Sequence, residues 1–333
     1  MLCATAYGDV FQDTQGNSYH TGLLPKSQGN YGEAFVTLDD CEGLPENFDL
    51  RELGVVPSVK NQGSCGSCWA FAKTSSLESA TGNQLDLSEQ QLVSCDRNNY
   101  GCNGGNLNNN EYQRVKGQGL EEAFPYVAKG VKCKPIETVA RGSQFVYIGA
   151  PRRSPTVKEL QCALYKSKTI PWMTVGANAG WTNVPKDPNF LYNECTDSWT
   201  NHAVGVVGWK TVDKKVYFIM KNSWGTKWGA EGYLNMPLGC DNLGQEAAYI
   251  VGALECKPPQ VMLPVEVIST VDKEGTLEVT QETDVTYEWF HDEKSVSTTN
   301  AYTFKVEKDG EIVLVAKNKC GTTTVRTKVR LSH

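Results

Sequence analysis

The chain has 333 residues, 38 Asp and Glu against 32 Lys and Arg, a net charge of −6 and 12 cysteines. That acidic balance excludes the basic footprint that nucleic-acid phosphates demand, and no stretch reaches the ~18 apolar residues of a membrane helix. Hydrophobic residues at 40% and charged residues at 21% suit one large soluble domain or two, each able to close a core.

The cysteines are spread along the chain rather than clustered, which favours an oxidised, exported protein over a cytosolic enzyme with buried thiols. Met1-Leu2-Cys3-Ala4-Thr5-Ala6 is similar to the tail of a signal peptide. A secreted, periplasmic or cell-surface, or lysosome-like location is expected. No Asn-x-Ser/Thr acceptor occurs, so no N-glycan is expected.

In chain order, residues 1–43 are polar and weakly periodic and read as an irregular leader. Denser sequence begins at Leu44-Pro45-Glu46. From Cys68 to Ala80 the run is helix-compatible, with Gly82 as its stop. Ser88-Glu89-Gln90-Gln91 is a capping-box pattern that opens a second helix. Asn98 to Asn110 is loop, dense in Asn and Gly. Val157 to Ser167 reads as a third helix. Strand-like runs follow at Ala203–Trp209, Val216–Met220 and Gly232–Met236. A helical half followed by a strand-rich half predicts an α+β protein of two lobes. Cys256-Lys257-Pro258-Pro259 reads as a linker. Beyond it, short alternating runs at 276–280, 285–290, 301–306, 312–316 and 323–331 predict a small all-β sandwich. The expected domains are residues 1–43, 44–255 and 256–333.

Gly63-Ser64-Cys65-Gly66-Ser67-Cys68-Trp69 carries the chemistry. Two cysteines at this spacing suit a redox pair, half of a zinc site, or a structural thiol beside a nucleophile. The redox reading lacks a surrounding strand–helix–strand unit. The zinc reading lacks a second ligand pair, since the histidines at 20, 202, 291 and 333 show no paired spacing. A nucleophile needs a depressed pKa, from a helix start and a nearby imidazolium, and a third group to hold the imidazole. Cys68 stands where the first helix should begin. His202 stands at the mouth of an apolar strand, a setting that also suits a packed core histidine.

Three segments decide among these. Gln62-Gly63-Ser64-Cys65-Gly66-Ser67-Cys68-Trp69-Ala70-Phe71, Asn201-His202-Ala203-Val204 and Asn222-Ser223-Trp224-Gly225 together resemble the papain-like cysteine proteases. His202 and Asn222 follow Cys68 by 134 and 154 residues, spacings that fit such a nucleophile. The resemblance covers about residues 44–255. It implies a two-lobed papain-like fold, with a helical left lobe and a β-barrel-like right lobe, and a cysteine endopeptidase. In that reading Cys68 is the nucleophile, His202 its acid–base partner, Asn222 the group orienting the imidazole and Gln62 an oxyanion donor. Trp224 covers the His–Asn bond. Gly104, Gly105 and Asn201 belong to the substrate groove. Leu107, Val175 and Ala203 are expected to line the pocket for the second residue upstream of the cut. Glu246 falls near that pocket's floor, where it would accept arginine as well as apolar side chains.

The resemblance further implies disulfides Cys65–Cys102, Cys95–Cys133 and Cys195–Cys240. Cys3, Cys41, Cys162, Cys256 and Cys320 stay unassigned, with Cys256–Cys320 as one pairing that would tie the linker to the C-terminal domain. No metal or cofactor is implied. Expected partners are peptide and protein substrates, and a pro-segment or a separate inhibitor protein. The family's long helical propeptide has no counterpart in residues 1–43. Tyr287-Glu288-Trp289-Phe290 and Val315–Thr322 resemble strands of immunoglobulin-like domains, with Val279 and Leu314 replacing the usual cysteines. That domain is expected to meet a surface or protein ligand, or to stabilise the protease. A protease-fold binding protein that has lost its chemistry is the alternative, against which the intact Cys68, His202, Asn222 and Gln62 set speaks.

Overall fold

The computed structural model describes residues 8–24, 41–149, 153–196, 199–254, 258–282, 285–318 and 321–332. The chain divides into two compact units, residues 1–255 and 256–333.

The first unit opens with a hairpin, β1 (Val10–Gln12) against β2 (Ser18–His20), followed by the short β3 (Phe48–Asp49). The hairpin corrects the expectation of an irregular leader. Its turn is made by Asp13, whose carboxylate accepts from the Gln15 and Asn17 backbone N–H groups, the Asn17 amide and the Tyr19 hydroxyl. An aspartate folding its own chain in this way offsets the lack of alternating apolar residues.

The helical lobe is built on α1 (Cys68–Ala80), α2 (Glu89–Cys95) and α3 (Glu111–Val115). Helix α1 is buried from Cys68 to Ser79. It ends at Thr81, and Gly82 takes the left-handed φ of +77° that glycine adopts without steric cost. The Ser88 hydroxyl caps α2 by accepting from the Gln91 N–H. The reciprocal half of the capping box is not made: Gln91 Oε1 accepts from the Gly119 N–H instead, while the Ser88 N–H goes to the Gly119 carbonyl.

The second lobe is an antiparallel sheet. Its strands are β4 (Ala140–Tyr147), β5 (Trp172–Val175), β6 (His202–Val212), β7 (Lys215–Lys221), β8 (Tyr233–Met236) and β9 (Ala247–Leu254). They run in the order β4-β9-β5-β6-β7-β8, with β3 added to β6. Helix α4 (Val157–Ser167) carries a complete Thr156/Glu159 capping box and packs on β6. β4, β5 and β9 were missed in the sequence. β5, Trp172-Met173-Thr174-Val175, is buried throughout and so shows no alternation, as strands covered on both faces do not. β4 has exposed Ser143 and Gln144 in its middle.

Disulfides join Cys65–Cys102, Cys95–Cys133 and Cys195–Cys240. A further bond joins Cys41 to Cys162 in α4, two of the cysteines left unassigned by spacing. Cys3, Cys256 and Cys320, and with them the Cys256–Cys320 pairing, lie outside the described residues. So does the Met1–Ala6 segment.

The second unit is all β. One sheet has the order β10 (Glu266–Ser269), β16 (Gly321–Leu331), β15 (Gly310–Asn318), β12 (Thr286–His291), β13 (Lys294–Ser297). The other pairs β11 (Glu274–Glu278) with β14 (Ala301–Lys305). Trp289 is fully buried between them with Leu314, Val279 and Phe304, and its indole N–H donates to the Thr299 carbonyl. Burying a side chain of this size is worth roughly 3 kcal/mol or more.

The two lobes of the first unit meet over a buried charge cluster. Lys60 Nζ lies 3.2 Å from Glu78 of α1 and 2.9 Å from Glu89 of α2, and reaches Asp86 as well. Burial pushes the Lys221 ammonium of β7 down to about 8, while Glu78 and Glu89 pull it back. Removing one partner of such a cluster strands the others in a dry site, at a cost of about 3–5 kcal/mol. Lys60→Met is therefore expected to lower the melting temperature of the first unit by several degrees. Adding Glu89→Gln should recover part of the loss in thermal denaturation followed by circular dichroism.

Candidate active site

Cys68 is the first residue of α1 and fully buried, and it is the free cysteine among the described residues. The helix start in front of it has no side-chain cap; the Ser67 hydroxyl instead bonds the Tyr126 hydroxyl at 2.6 Å. The N-terminal N–H groups of α1 thus remain as a positive pole next to the thiol. Trp69 is locked by its indole N–H to the Gly101 carbonyl. Gln62, buried beside them, donates from Nε2 to the Cys65 carbonyl at 2.9 Å and accepts the Ser223 hydroxyl at 2.7 Å on Oε1. Its amide is held in one orientation from both ends.

His202 begins β6. The Ala203 N–H reaches the Cys68 sulfur, which puts the His202 backbone at the thiol. His202 Nε2 meets Asn222 Oδ1 at 2.8 Å in a fully buried contact, and Asn222 Oδ1 also accepts the Ser223 N–H. That second bond fixes the amide oxygen toward the ring, so the ring proton on this side is on Nε2, and Nδ1 is left without a hydrogen-bond partner. Trp224 lies over the imidazole, centroids 4.9 Å apart and planes 33° apart, and Trp181 meets its edge at 6.4 Å. The His–Asn bond is thereby closed off from water.

The leader runs through this site. The Gly22 and Leu23 N–H groups donate to the Asn201 carbonyl at 3.2 and 2.9 Å. The Leu24 N–H donates to the Gly105 carbonyl, and the Gly105 N–H donates to the Gly22 carbonyl, each at 2.9 Å. The Gly22 N–H also reaches the Cys68 sulfur. Upstream, the Trp224 indole N–H donates to the His20 carbonyl, Tyr19 packs on Trp224 at 5.0 Å, and Asp9 accepts from the Asn201 amide at 2.7 Å. Gly22 is a steric necessity here, because a Cβ on it would lie 2.1 Å from the Gly66 carbonyl oxygen. Gly104 and Gly105 allow the same approach from the other side; a Cβ on Gly104 would meet the Gly22 carbonyl at 2.8 Å and one on Gly105 the Trp69 ring at 2.4 Å.

Burial shifts the titration of both Cys68 and His202. It pushes the Cys68 thiol up to about 12, against the pull of the surrounding backbone N–H groups, and the His202 imidazole down to about 4, against the Asn222 bond. Both shifts favour the neutral thiol and the neutral imidazole over the ion pair. Desolvation of this kind disfavours the charged forms of both groups.

Next to Leu23 and Leu24 a cleft cavity of about 530 Å³ is lined by Leu107, Thr174 and Glu246. Glu246 Oε2 accepts from the Asn108 amide at 2.8 Å. Val175 and Ala203, expected in this lining, lie instead in the two core clusters. Thr174 lines the cavity because strand residues alternate in direction and it precedes Val175. Gly22, Leu23, Asn108 and Ser223 were not singled out in the sequence. A glycine followed by two leucines inside a polar leader was the one local signal available.

The sequence comparisons bear on this geometry. Residues 44–252 match the papain family cysteine protease domain. The chain belongs to the papain family. A probable cysteine protease of Arabidopsis thaliana is 36% identical over 266 residues, covering 72% of this chain and 70% of that protein. Chymopapain of Carica papaya is 35% identical, over 60% of this chain and 57% of its own length. Mouse procathepsin L is 35% identical, over 62% and 66%. The match thus leaves a third or more of the latter two relatives unspanned. Among solved structures, procathepsin L 3 from the larval midgut of Tenebrio molitor superposes with a TM-score of 0.59 at 29% identity, covering 68% of this chain and 75% of that one. Among the described residues no helix is long and apolar enough to cross a membrane.

Two outcomes follow for the papain-family thiol. Gly22→Val is expected to speed modification of Cys68 by a pyridyl disulfide at least tenfold, read by release of the chromophore. Asp13 is held below its ordinary 3.8 by its bonds to Asn17 and Tyr19. Its contribution to the hairpin is complete above that value and lost as pH falls through the lowered one. Asp13→Asn should therefore speed modification severalfold at about pH 6, and the gap to the unmodified chain should narrow as pH falls below the ordinary carboxylate range.

Proposed function

We propose that this protein is a cysteine endopeptidase kept latent by its own leader, residues 1–43, of which 8–24 fill the groove. The buried Cys68–His202–Asn222 arrangement at the start of α1 is the observation that carries the reading. Membership of the papain family supports it.

Once residues 20–24 leave, water returns to the site and the charged form of the pair is no longer penalised. The thiol proton passes to His202 Nδ1, the nitrogen without a partner, and Asn222 keeps its bond to Nε2–H. An amide suits that post better than a carboxylate, which would draw the imidazolium charge away from the thiolate. The Cys68 thiolate attacks the scissile carbonyl carbon and its π electrons move to oxygen. The Cys68 backbone N–H and the Gln62 Nε2–H stabilise that oxyanion. Collapse breaks the C–N bond while His202 protonates the leaving amine, giving an acyl-enzyme thioester. Water, deprotonated by His202, then hydrolyses the thioester and restores the thiol.

Gly104, Gly105 and Asn201 offer a peptide the backbone groups that the leader now uses. The cavity beside them takes the second residue upstream of the cut. Leu107 supports an apolar side chain there, and Glu246 adds acceptance of arginine. Residues 44–255 act as the protease. Residues 256–333 form an immunoglobulin-like sandwich that meets a surface or a protein ligand. The four disulfides among the described residues support an exported location, and relatives studied in the pro form support a leader that holds the enzyme latent.

The test uses the full chain with Gly22→Val and fluorogenic peptides at about pH 6. Hydrolysis is expected to exceed that of the unmodified chain at least tenfold and to vanish with Cys68→Ala. Gln62→Ala should cost roughly a hundredfold in kcat. A Gly22→Val chain whose Cys68 reacts readily but which cleaves no peptide would sink the reading.

A further inference from the structure

A serine in front of a helix ordinarily turns its hydroxyl back to cap the first N–H groups. Ser67 stands in front of α1 and makes no such bond. Its hydroxyl meets the Tyr126 hydroxyl at 2.6 Å instead. The same Tyr126 hydroxyl donates to the Gln62 carbonyl at 2.8 Å. A phenol has one proton, and a carbonyl has none to give. The Tyr126 proton therefore lies toward Gln62, and the Ser67 hydroxyl donates to Tyr126. The Cys65 carbonyl, 3.5 Å from the Ser67 oxygen, is too distant to compete with that short bond. Burial pushes the Tyr126 phenol above its ordinary value, so it keeps its proton at neutral pH.

The two residues bonded to Tyr126 are the two ends of one turn. Gln62 carries the side-chain amide, and Ser67 directly precedes the Cys68 N–H, the second donor aimed at the oxyanion. The middle of the turn is pinned by the Cys65–Cys102 disulfide and by the Gly66 N–H, which donates to the Cys102 carbonyl at 2.9 Å. The Gln62–Gly63 peptide needs a hold of its own. Gly63 lies at φ +55°, where glycine lets a peptide plane rotate at little steric cost. The N–H of that peptide goes to Asn61 Oδ1 at 2.9 Å, and its carbonyl goes to Tyr126. Tyr126 is anchored from outside the turn. Its backbone N–H donates to Glu121 Oε1 at 2.7 Å, and the Val127 N–H donates to Gln90 Oε1 of α2 at 2.9 Å. Its ring stands edge-on to Phe71 of α1, centroids 4.8 Å apart.

We propose that Tyr126 is the positioning residue of the oxyanion site, its hydroxyl holding the Gln62 and Ser67 ends of the turn so that Gln62 Nε2–H and the Cys68 N–H converge on one oxygen. The inference rests on the peptidase reading. Tyr126 touches neither substrate nor thiol in this role; it acts through Gln62 and through the backbone in front of Cys68. Donors of this kind act only when aimed where charge develops, and a misplacement on the order of 1 Å costs as much as a hundredfold in rate. The Tyr126 hydroxyl therefore bears on the transition state, and leaves substrate affinity and the intrinsic reactivity of the thiol alone.

The full chain with Gly22→Val is the parent for the test. Tyr126→Phe removes the hydroxyl and keeps the ring on Phe71. It is expected to lower kcat for a fluorogenic peptide about tenfold, with KM within about twofold of the parent. Modification of Cys68 by a pyridyl disulfide is a displacement at sulfur that builds no oxyanion on carbon, and it should also stay within about twofold. The Gln62→Ala background then shows whether the hydroxyl acts through Gln62. There, Tyr126→Phe should cost at most about threefold more, because two residues that work through one group are not additive. A tenfold loss that persists in full with Gln62→Ala would overturn the proposal. So would an unchanged kcat, a loss carried by KM, or an equal slowing of the disulfide reaction. A peptide aldehyde gives a readout without bond cleavage. The Cys68 sulfur adds to its carbonyl carbon and the thiol proton ends on the oxygen, a tetrahedral adduct that calls on the same donors. Tyr126→Phe should weaken its binding about fivefold, and Gln62→Ala should remove most of that difference. A parent that binds the aldehyde but cleaves no peptide rejects the peptidase reading, and the aldehyde comparison then decides the positioning role. A parent that cleaves peptides, with kcat and aldehyde binding both indifferent to Tyr126→Phe, rejects the positioning role and leaves the peptidase. A parent that does neither rejects both.

Discussion

A helix with polar residues on every side is costly to bury unless those residues find partners, and α1 is buried along twelve of its thirteen residues. Desolvating a polar group without a hydrogen bond has a cost that depends on the group, roughly 2–7 kcal/mol for a neutral one. The rest of the unit supplies partners for all of them but the Ser75 hydroxyl. Lys73 Nζ donates to the Asn109 carbonyl, the Gln118 amide donates to the Thr74 hydroxyl, and Ile250 N–H donates to the Ser76 hydroxyl. Glu78 accepts the Leu87 N–H and faces Lys60, while Ser79 accepts the Ile170 N–H. Each partner sits on a different loop or strand. Satisfying α1 therefore brings the loop after α2, the sheet and the segment before the helix to fixed places, and Cys68 at its tip inherits that rigidity.

Function depends on the tip of α1 meeting the mouth of β6 at a seam between lobes. A seam is also a groove, and a groove lined by backbone N–H and carbonyl groups will bind whatever extended chain lies closest. Here the closest chain is the protein's own. The Asn201 and Gly105 backbone groups hold residues 22–24, and the burial that shields the His202–Asn222 bond also pushes the thiol pKa up. In the proposed reading, latency and competence are two hydration states of one site.

The sequence made some of this legible and hid the rest for physical reasons. The helix from Cys68 to Ala80 and the one from Val157 to Ser167 were readable because glycine and a capping pair mark their ends locally. The Cys68, His202 and Asn222 set was readable because their chemistry constrains residue type as well as position. β5 was not readable, since a strand buried on both faces loses the alternation that marks it; β4 and β9 were not read either. The leader hairpin was hidden for the opposite reason: Asp13 organises it through its own carboxylate, and little apolar patterning is required. The cavity was half legible. The family resemblance put Glu246 near its floor, but Val175 was assigned to the lining where Thr174 stands, a one-residue slip that turns a side chain to the other face.

The Cys41–Cys162 bond has a covalent consequence for the way this chain is released. Cys41 lies on the leader side of residue 44, where the family match begins, and its partner is embedded in α4. A backbone cut between Cys41 and that point separates leader from protease in the peptide sense only. Sulfur still ties the two, and a tethered segment faces its groove at an effective concentration on the order of millimolar. A cut on the other side of Cys41 leaves the bond with the enzyme and sets the groove-filling segment adrift. In the proposed reading, cuts a few residues apart on either side of Cys41 would therefore differ in whether the groove-filling segment stays tied to the protease through the disulfide.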